Sequence, residues 1–143
     1  MYSVLVPIGT ADAGVSRAVE TIASFPGRDE LSVVIVHVAR DVDFIGSDGS
    51  YVSLDQEDLS LPSAVESAME AFEDRGISAQ LVVREGDEVD EILETINDES
   101  IDQVVVPDKR RSPVGKVIFG GTTLSLIRNS PAPVTVVPSP NVK

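Results

Sequence analysis

Apolar positions along the chain fall into two alternating kinds of segment. Residues 2–7 form a short β-rich run, closed by Pro7 and Gly9. Over residues 12–24 the spacing becomes helical, with Val15, Ala18, Val19, Ile22 and Ala23 on one face. Asp12 is the expected N-cap of that helix, and Pro26-Gly27 the expected stop. Residues 31–38 are almost continuously apolar and β-branched, the pattern of a strand covered on both faces. Residues 40–61 are acidic and contain Gly and Ser, and read as a long loop.

The alternation continues. Residues 62–75 predict a second helix with Val65, Ala68, Met69 and Phe72 inward and Gly76 as its C-terminal stop. A third strand is expected over 77–84. The turn Glu85-Gly86-Asp87 then leads into a helix through Ile96 that buries Val89, Ile92, Leu93 and Ile96. A fourth strand is expected over 101–106, then a basic loop over 107–116. Gly120-Gly121-Thr122-Thr123 opens a last short helix to about Arg128, and residues 134–137 close the chain as a strand. Five strands alternating with four amphipathic helices predict an α/β fold, a three-layer, doubly wound sandwich around a parallel sheet. The whole chain, 1–143, reads as a single domain. Ligands of such sheets sit beyond the carboxyl ends of the strands, where strand order reverses. The loops at 8–11 and 107–116 are therefore the candidate site.

Charge narrows the partners. The 143 residues carry 11 basic and 24 acidic side chains, a formal net charge of −13, with no cysteine and one histidine. A polyanion repels nucleic acid and anionic membrane surfaces, so neither is expected as a partner. Without cysteine there is no thiolate nucleophile, disulfide framework or Cys-based metal site. The longest apolar stretches are too short to span a bilayer, and no basic region precedes an apolar one at the N-terminus. A soluble cytoplasmic protein is expected. The charge exceeds the magnitude of about 2–8 that serves ordinary solubility. It reads as adaptation to a salt-rich cytoplasm, in which repulsion is screened, with an ordinary acidic protein as the other reading.

Candidate chemistry is sparse. There is no Gly-x-Ser-x-Gly elbow and no His-Glu-x-x-His pair, so no catalytic residue is assigned and no enzyme is expected beyond a very slow ATPase. His37 lies inside an apolar strand and reads as structural rather than as a base. With no second His and no Cys, no metal site is expected. Glu66, Glu70 and Glu73 read as a solvated helix face. Gly120-Gly121 at a helix start suits phosphate, because the unpaired N–H groups and the dipole favour an anion there. Capping of the same helix by Thr122 or Thr123 is the other reading. Lys109, Arg110, Arg111 and Lys116 gather four of the eleven positive charges in eight residues. They suit an anionic ligand through Arg forks, or ion pairs with acids of this chain or of a second subunit.

Taken in order, these segments resemble the universal stress protein (UspA-like) family. The likeness runs over nearly the whole chain: Tyr2-Ser-Val-Leu-Val-Pro7, Ile35-Val-His-Val38, Val83-Arg-Glu-Gly86-Asp87, Val104–Val106, Gly120, and Asn129-Ser-Pro-Ala-Pro-Val-Thr-Val-Val137. It implies five parallel strands in the order 3-2-1-4-5, an adenine-nucleotide α-hydrolase-like fold. It also implies a homodimer formed through the last strand, Val134, Thr135, Val136 and Val137. One branch of the family binds ATP through Gly-x-x-Gly-x9-Gly-[Ser/Thr]. Its positions fall here on Pro107, Arg110, Gly120 and Gly121, so one of the four is kept. Gly9, followed by Thr10, stands where the family places an Asp. The nucleotide contacts implied are Pro7, Gly9, Thr10 and Val38 from the first two strands, and Val106, Arg110, Gly120, Gly121 and Thr122 from the second half. The expected function is a non-enzymatic, dimeric stress-response module. The alternative is a sensor of ATP, another adenine nucleotide or an anion at the 107–123 segment. A regulatory protein partner is a third expectation, with Phe44, Ile45, Tyr51, Val52 and Leu54 as its surface.

Overall fold

The structure, a computed structural model, describes residues 1–9, 14–39, 62–108 and 120–138. Along the chain run β1 (Tyr2–Pro7), α1 (Val15–Ala23), β2 (Leu31–Ala39), α2 (Ser63–Asp74) and β3 (Ser78–Glu85). They are followed by α3 (Glu88–Asp98), β4 (Gln103–Asp108), α4 (Gly121–Asn129) and β5 (Val134–Pro138). The strands form one sheet in the order β3-β2-β1-β4-β5, and every pairing is parallel. This is the expected architecture, with α1 and α2 on one face and α3 and α4 on the other.

Burial explains why the central strands read as unbroken apolar runs. Val4 and Val6 of β1 join Val33 and Ile35 of β2 in the core under α1 and α2. Leu5, Val34 and Val36, the intervening residues, join Ile92, Ile96 and Leu126 under the opposite helices. A strand buried on both faces has no polar position to alternate with. β3 lies at the sheet edge, so its residues are half-buried or exposed. It is pinned to α3 by Arg84, whose Nη2 lies 2.6 Å from Asp98 Oδ2 and whose Nη1 lies 3.6 Å from Glu91 and 3.7 Å from Glu94. The hydrogen bond to Asp98 is the main reason that this guanidinium is held in its charged form even more firmly than usual, against a smaller opposing effect of burial.

Several boundaries differ from the sequence expectation, each for a local reason. α1 begins at Val15 with Gly14 as its N-cap, and Asp12, the expected cap, lies outside the described residues. Gly14 sits at φ 84°, a left-handed conformation that glycine adopts without a Cβ clash and that interrupts a helix. α1 stops at Ala23, before Pro26-Gly27, where Ser24 Oγ donates to the Thr21 carbonyl at 2.6 Å. A 3-10 turn, Arg28–Glu30, follows it. β3 starts one residue later than expected, and β4 runs from Gln103 to Asp108, taking in Pro107. Residues 40–61 and 109–116, including the proposed partner surface and the basic cluster, lie outside the described residues. Among the described residues, no helix is long and apolar enough to cross a membrane.

Candidate functional site

The ladder is short where the strand order reverses. β1 pairs with β2 over six residues, from Tyr2↔Leu31 to Pro7↔Val36. β1 pairs with β4 over only two, Val4↔Gln103 and Leu5↔Val104. Pro7 and Pro107 together explain why this ladder stops and does not resume: the Ile8 N–H faces β2, so position 7 faces β4, where a proline has no N–H to give. The Val104 N–H turns away from β1, donating to the Pro133 carbonyl at 2.8 Å. In a parallel strand, alternate residues direct their N–H to opposite sides. Position 107 therefore faces β1, and a proline there has no N–H to give. β4 remains paired to β5 as far as Asp108↔Pro138. The carboxyl halves of β1 and β4 thus lie side by side without a continuing ladder, at the place where doubly wound sheets take their ligands.

α4, which lies between β4 and the parallel β5 in the chain, begins without a side-chain cap. Its N-cap is Gly120, and its first intrahelical bond runs from the Leu124 N–H to the Gly120 carbonyl at 3.0 Å. The N–H groups of Gly121, Thr122 and Thr123 consequently have no partner within the helix. Thr122 and Thr123 are inside the first turn, which overturns their reading as caps. The first turn carries no acid. α3 is built the other way: Asp87 Oδ2 accepts the Asp90 N–H at 3.0 Å, and Glu88, Asp90 and Glu91 occupy its first turn. A Cβ built on Gly121, or on Gly9 after β1, meets nothing within 4 Å among the described residues. Packing therefore does not require glycine at either position. Each leaves its own backbone open to close approach, and the start of α4 has the free N–H groups that suit a phosphate.

The histidine serves the same end of the sheet. His37, 8% exposed and close to the end of β2, places Nδ1 2.9 Å from the Ile8 carbonyl. A carbonyl only accepts, so Nδ1 carries the proton. The Ile8 N–H donates to the Val36 carbonyl, also at 2.9 Å. Ile8 is thus held on both sides by β2, just where the chain turns away through Gly9.

Of the residues expected from sequence, Pro7 ends β1, Val38 stands one residue before the end of β2, and Val106 lies near the end of β4. Gly120, Gly121 and Thr122 start α4. Parallel pairing brings these strand ends to one edge of the sheet. Thr10 and Arg110 lie outside the described residues. Sequence reasoning did not anticipate the backbone contact of His37 with Ile8, or Arg17, whose Nη1 donates to the Pro138 carbonyl at 3.3 Å and ties α1 to the end of β5. A histidine one or two residues before a strand end was the available signal for the first; nothing in the pattern pointed to the second. Among the described residues, no group of three His, Cys, Asp or Glu is placed to hold a metal ion.

Residues 1–138 match the sequence model of the universal stress protein family. No curated protein sequence matches the chain. Solved structures do. A universal stress protein from Archaeoglobus fulgidus is 19% identical with a TM-score of 0.72, the match covering 96% of this chain and 98% of that one. A family protein from Arabidopsis thaliana with AMP bound is 17% identical with a TM-score of 0.67, covering 97% and 92%. The Archaeoglobus fulgidus protein in complex with dAMP is 13% identical with a TM-score of 0.69, covering 96% and 98%. At these identities the likeness is one of fold.

Proposed function

The chain belongs to the universal stress protein family, and on that premise we propose that it is a non-catalytic regulatory module that binds an adenine mononucleotide at the carboxyl edge between β1 and β4. The observation that carries this reading is the uncapped, acid-free start of α4, together with a β1–β4 ladder that ends before Pro7 and Pro107. The residues present fit a single phosphate better than a chain of three. Gly120 is kept from the family's glycine pattern, whereas Pro107 offers no N–H and Arg110 brings a side chain where that pattern has glycine. The similar structures that carry AMP and dAMP are of the same ligand class. Gly9, Pro7 and Val38 are the proposed contacts for base and ribose. Thr10 and Arg110 are proposed to complete the site from the adjoining loops.

The module acts as one domain over 1–143, in the cytoplasm, as a homodimer. Among the described residues β5 is a sheet edge with one side of its ladder free, and Val134, Thr135 and Val136 are half-buried, an arrangement that favours pairing with a second copy. Val137 is turned into the core, so it contributes backbone to that edge. The net charge of −13 fits a salt-rich cytoplasm.

Thermal unfolding against AMP, cyclic AMP, ATP, adenosine and phosphate tests the ligand. At one hundred times its dissociation constant a ligand adds about 2.7 kcal/mol, which raises Tm by roughly 5–10 °C in a chain of this size. AMP is expected to produce that shift and adenosine a smaller one. A second reading, a dimeric module without a nucleotide, is favoured by Pro107 and Arg110 at glycine positions. No shift with any compound, together with a dimer in sedimentation, supports it instead.

A further inference from the structure

The register between β1 and β2 ends at Pro7↔Val36, yet the next residue is still fastened. The Ile8 N–H keeps a backbone bond to Val36, and its carbonyl is taken by a side chain, the His37 imidazole, rather than left to the turning chain. His37 is 8% exposed and Ile8 is 3% exposed, so this contact is shielded from water that would otherwise replace it. Ile8 packs in the same core as Val4, Val6, Val33 and Ile35. Its side chain, its N–H and its carbonyl are therefore all fixed. The next residue, Gly9, is exposed, and a Cβ there would meet nothing among the described residues. A rigid point thus gives directly onto an open one. A strand made only of Val, Ile or Leu at this position would bury the side chain equally well but could not donate to the carbonyl.

We propose that His37 is a positioning residue: through its Nδ1–H it fixes the Ile8 carbonyl and so sets the course of the chain into Gly9, at the edge where the nucleotide is received. The part that concerns affinity rests on the proposed nucleotide site; the part that concerns the chain does not. The imidazole touches no ligand in this role. It acts on the backbone, and any amide N–H at the same place serves as well. Asparagine is the matching replacement, because its side-chain nitrogen is attached at the same branch point as Nδ1.

The test uses the full chain, with His37→Asn and His37→Leu, and two readouts. The first is amide hydrogen exchange, and it needs no ligand. His37→Leu is expected to speed exchange of the Ile8 amide by about tenfold relative to Val4 and Val6, and His37→Asn to restore most of the protection. In the parent protein the imidazole is expected to show the Nδ1–H tautomer by nitrogen NMR. The second readout is the dissociation constant of AMP, expected to rise about five- to tenfold in His37→Leu and to return within about twofold of the parent value in His37→Asn. Equal Ile8 protection in all three proteins overturns the proposal, and so does an affinity loss that asparagine fails to restore. If the parent protein binds no AMP while Ile8 protection follows the donor, the nucleotide site fails and the fixing of the chain by His37 stands.

Discussion

Two helices of this fold end in the same hydrogen-bonded motif with different residues at its critical position. At the end of α2, the Ile77 N–H reaches back to the Phe72 carbonyl at 3.0 Å and the Gly76 N–H to that of Glu73, also at 3.0 Å. At the end of α3, the Ile101 N–H bonds to the Ile96 carbonyl at 3.1 Å and the Ser100 N–H to that of Asn97 at 3.3 Å. Both are Schellman closures, which need a left-handed residue just after the C-cap. Gly76 has φ 70° and Ser100 has φ 51°. A Cβ at Gly76 meets nothing within 4 Å among the described residues, so Gly76→Ser costs backbone conformation alone. That cost is about 1–2 kcal/mol for an L-residue, less about 0.4–1 kcal/mol because serine is less free than glycine in the unfolded chain. Gly76→Ser should therefore destabilise by about 0.5–1 kcal/mol, and Ser100→Gly should stabilise by a similar amount. In a chain of this size each corresponds to a Tm change of roughly 2–3 °C, in opposite directions. The two helix ends share no hydrogen-bond partner, so the double variant should return close to the parent Tm. Thermal unfolding followed by circular dichroism, checked against urea midpoints, measures all three. A lower Tm for Ser100→Gly, or the same sign for both single changes, refutes the reasoning.

Arg84→Met removes the only cation facing Glu91, Glu94 and Asp98 among the described residues. Urea unfolding should show a loss of about 1 kcal/mol in dilute buffer that shrinks as KCl is raised; a loss independent of salt would contradict an electrostatic origin. Leu126→Ala, at a fully buried position on the inner face of α4, should cost about 3–5 kcal/mol in the same assay, and a cost below about 1 kcal/mol would place α4 elsewhere. Val136→Lys on the β5 edge should shift the dimer toward monomer in sedimentation, and an unchanged dimer would move the interface off that strand. Unfolding of the parent protein should become harder as KCl is added, and a flat profile would remove the salt-rich reading of the −13 charge.

Element types and layers were legible because central strands and amphipathic helices carry different periodicities, and 33–38 or 64–72 admit one reading each, whereas the strand order was implied only by the family resemblance. The ends of elements were less so. Gly14 marks the start of α1 through a left-handed backbone conformation that composition does not reveal. Pro107 looked like a loop residue. It is a strand residue whose missing N–H falls on the side facing β1, where the ladder has already ended, a fact that depends on register and not on sequence spacing. For the site, glycines at a helix start were visible, but the choice between a capped and an open N-terminus needed the position of Thr122 and Thr123 within the first turn. His37 read as structural. What it holds, the carbonyl of a residue 29 positions away, could only come from the fold.

The central claim is that the start of α4 and the end of β1 form one receptor for an adenine mononucleotide. Titration of the nitrogen-labelled protein with AMP, followed through backbone amide resonances, tests it directly. Saturable shifts at Gly9, Gly121, Thr122 and Thr123 that share one dissociation constant, with little change in α2 and α3, are the expected result. Amides at those four positions that stay still at millimolar AMP, or that move only in step with inorganic phosphate, would contradict it.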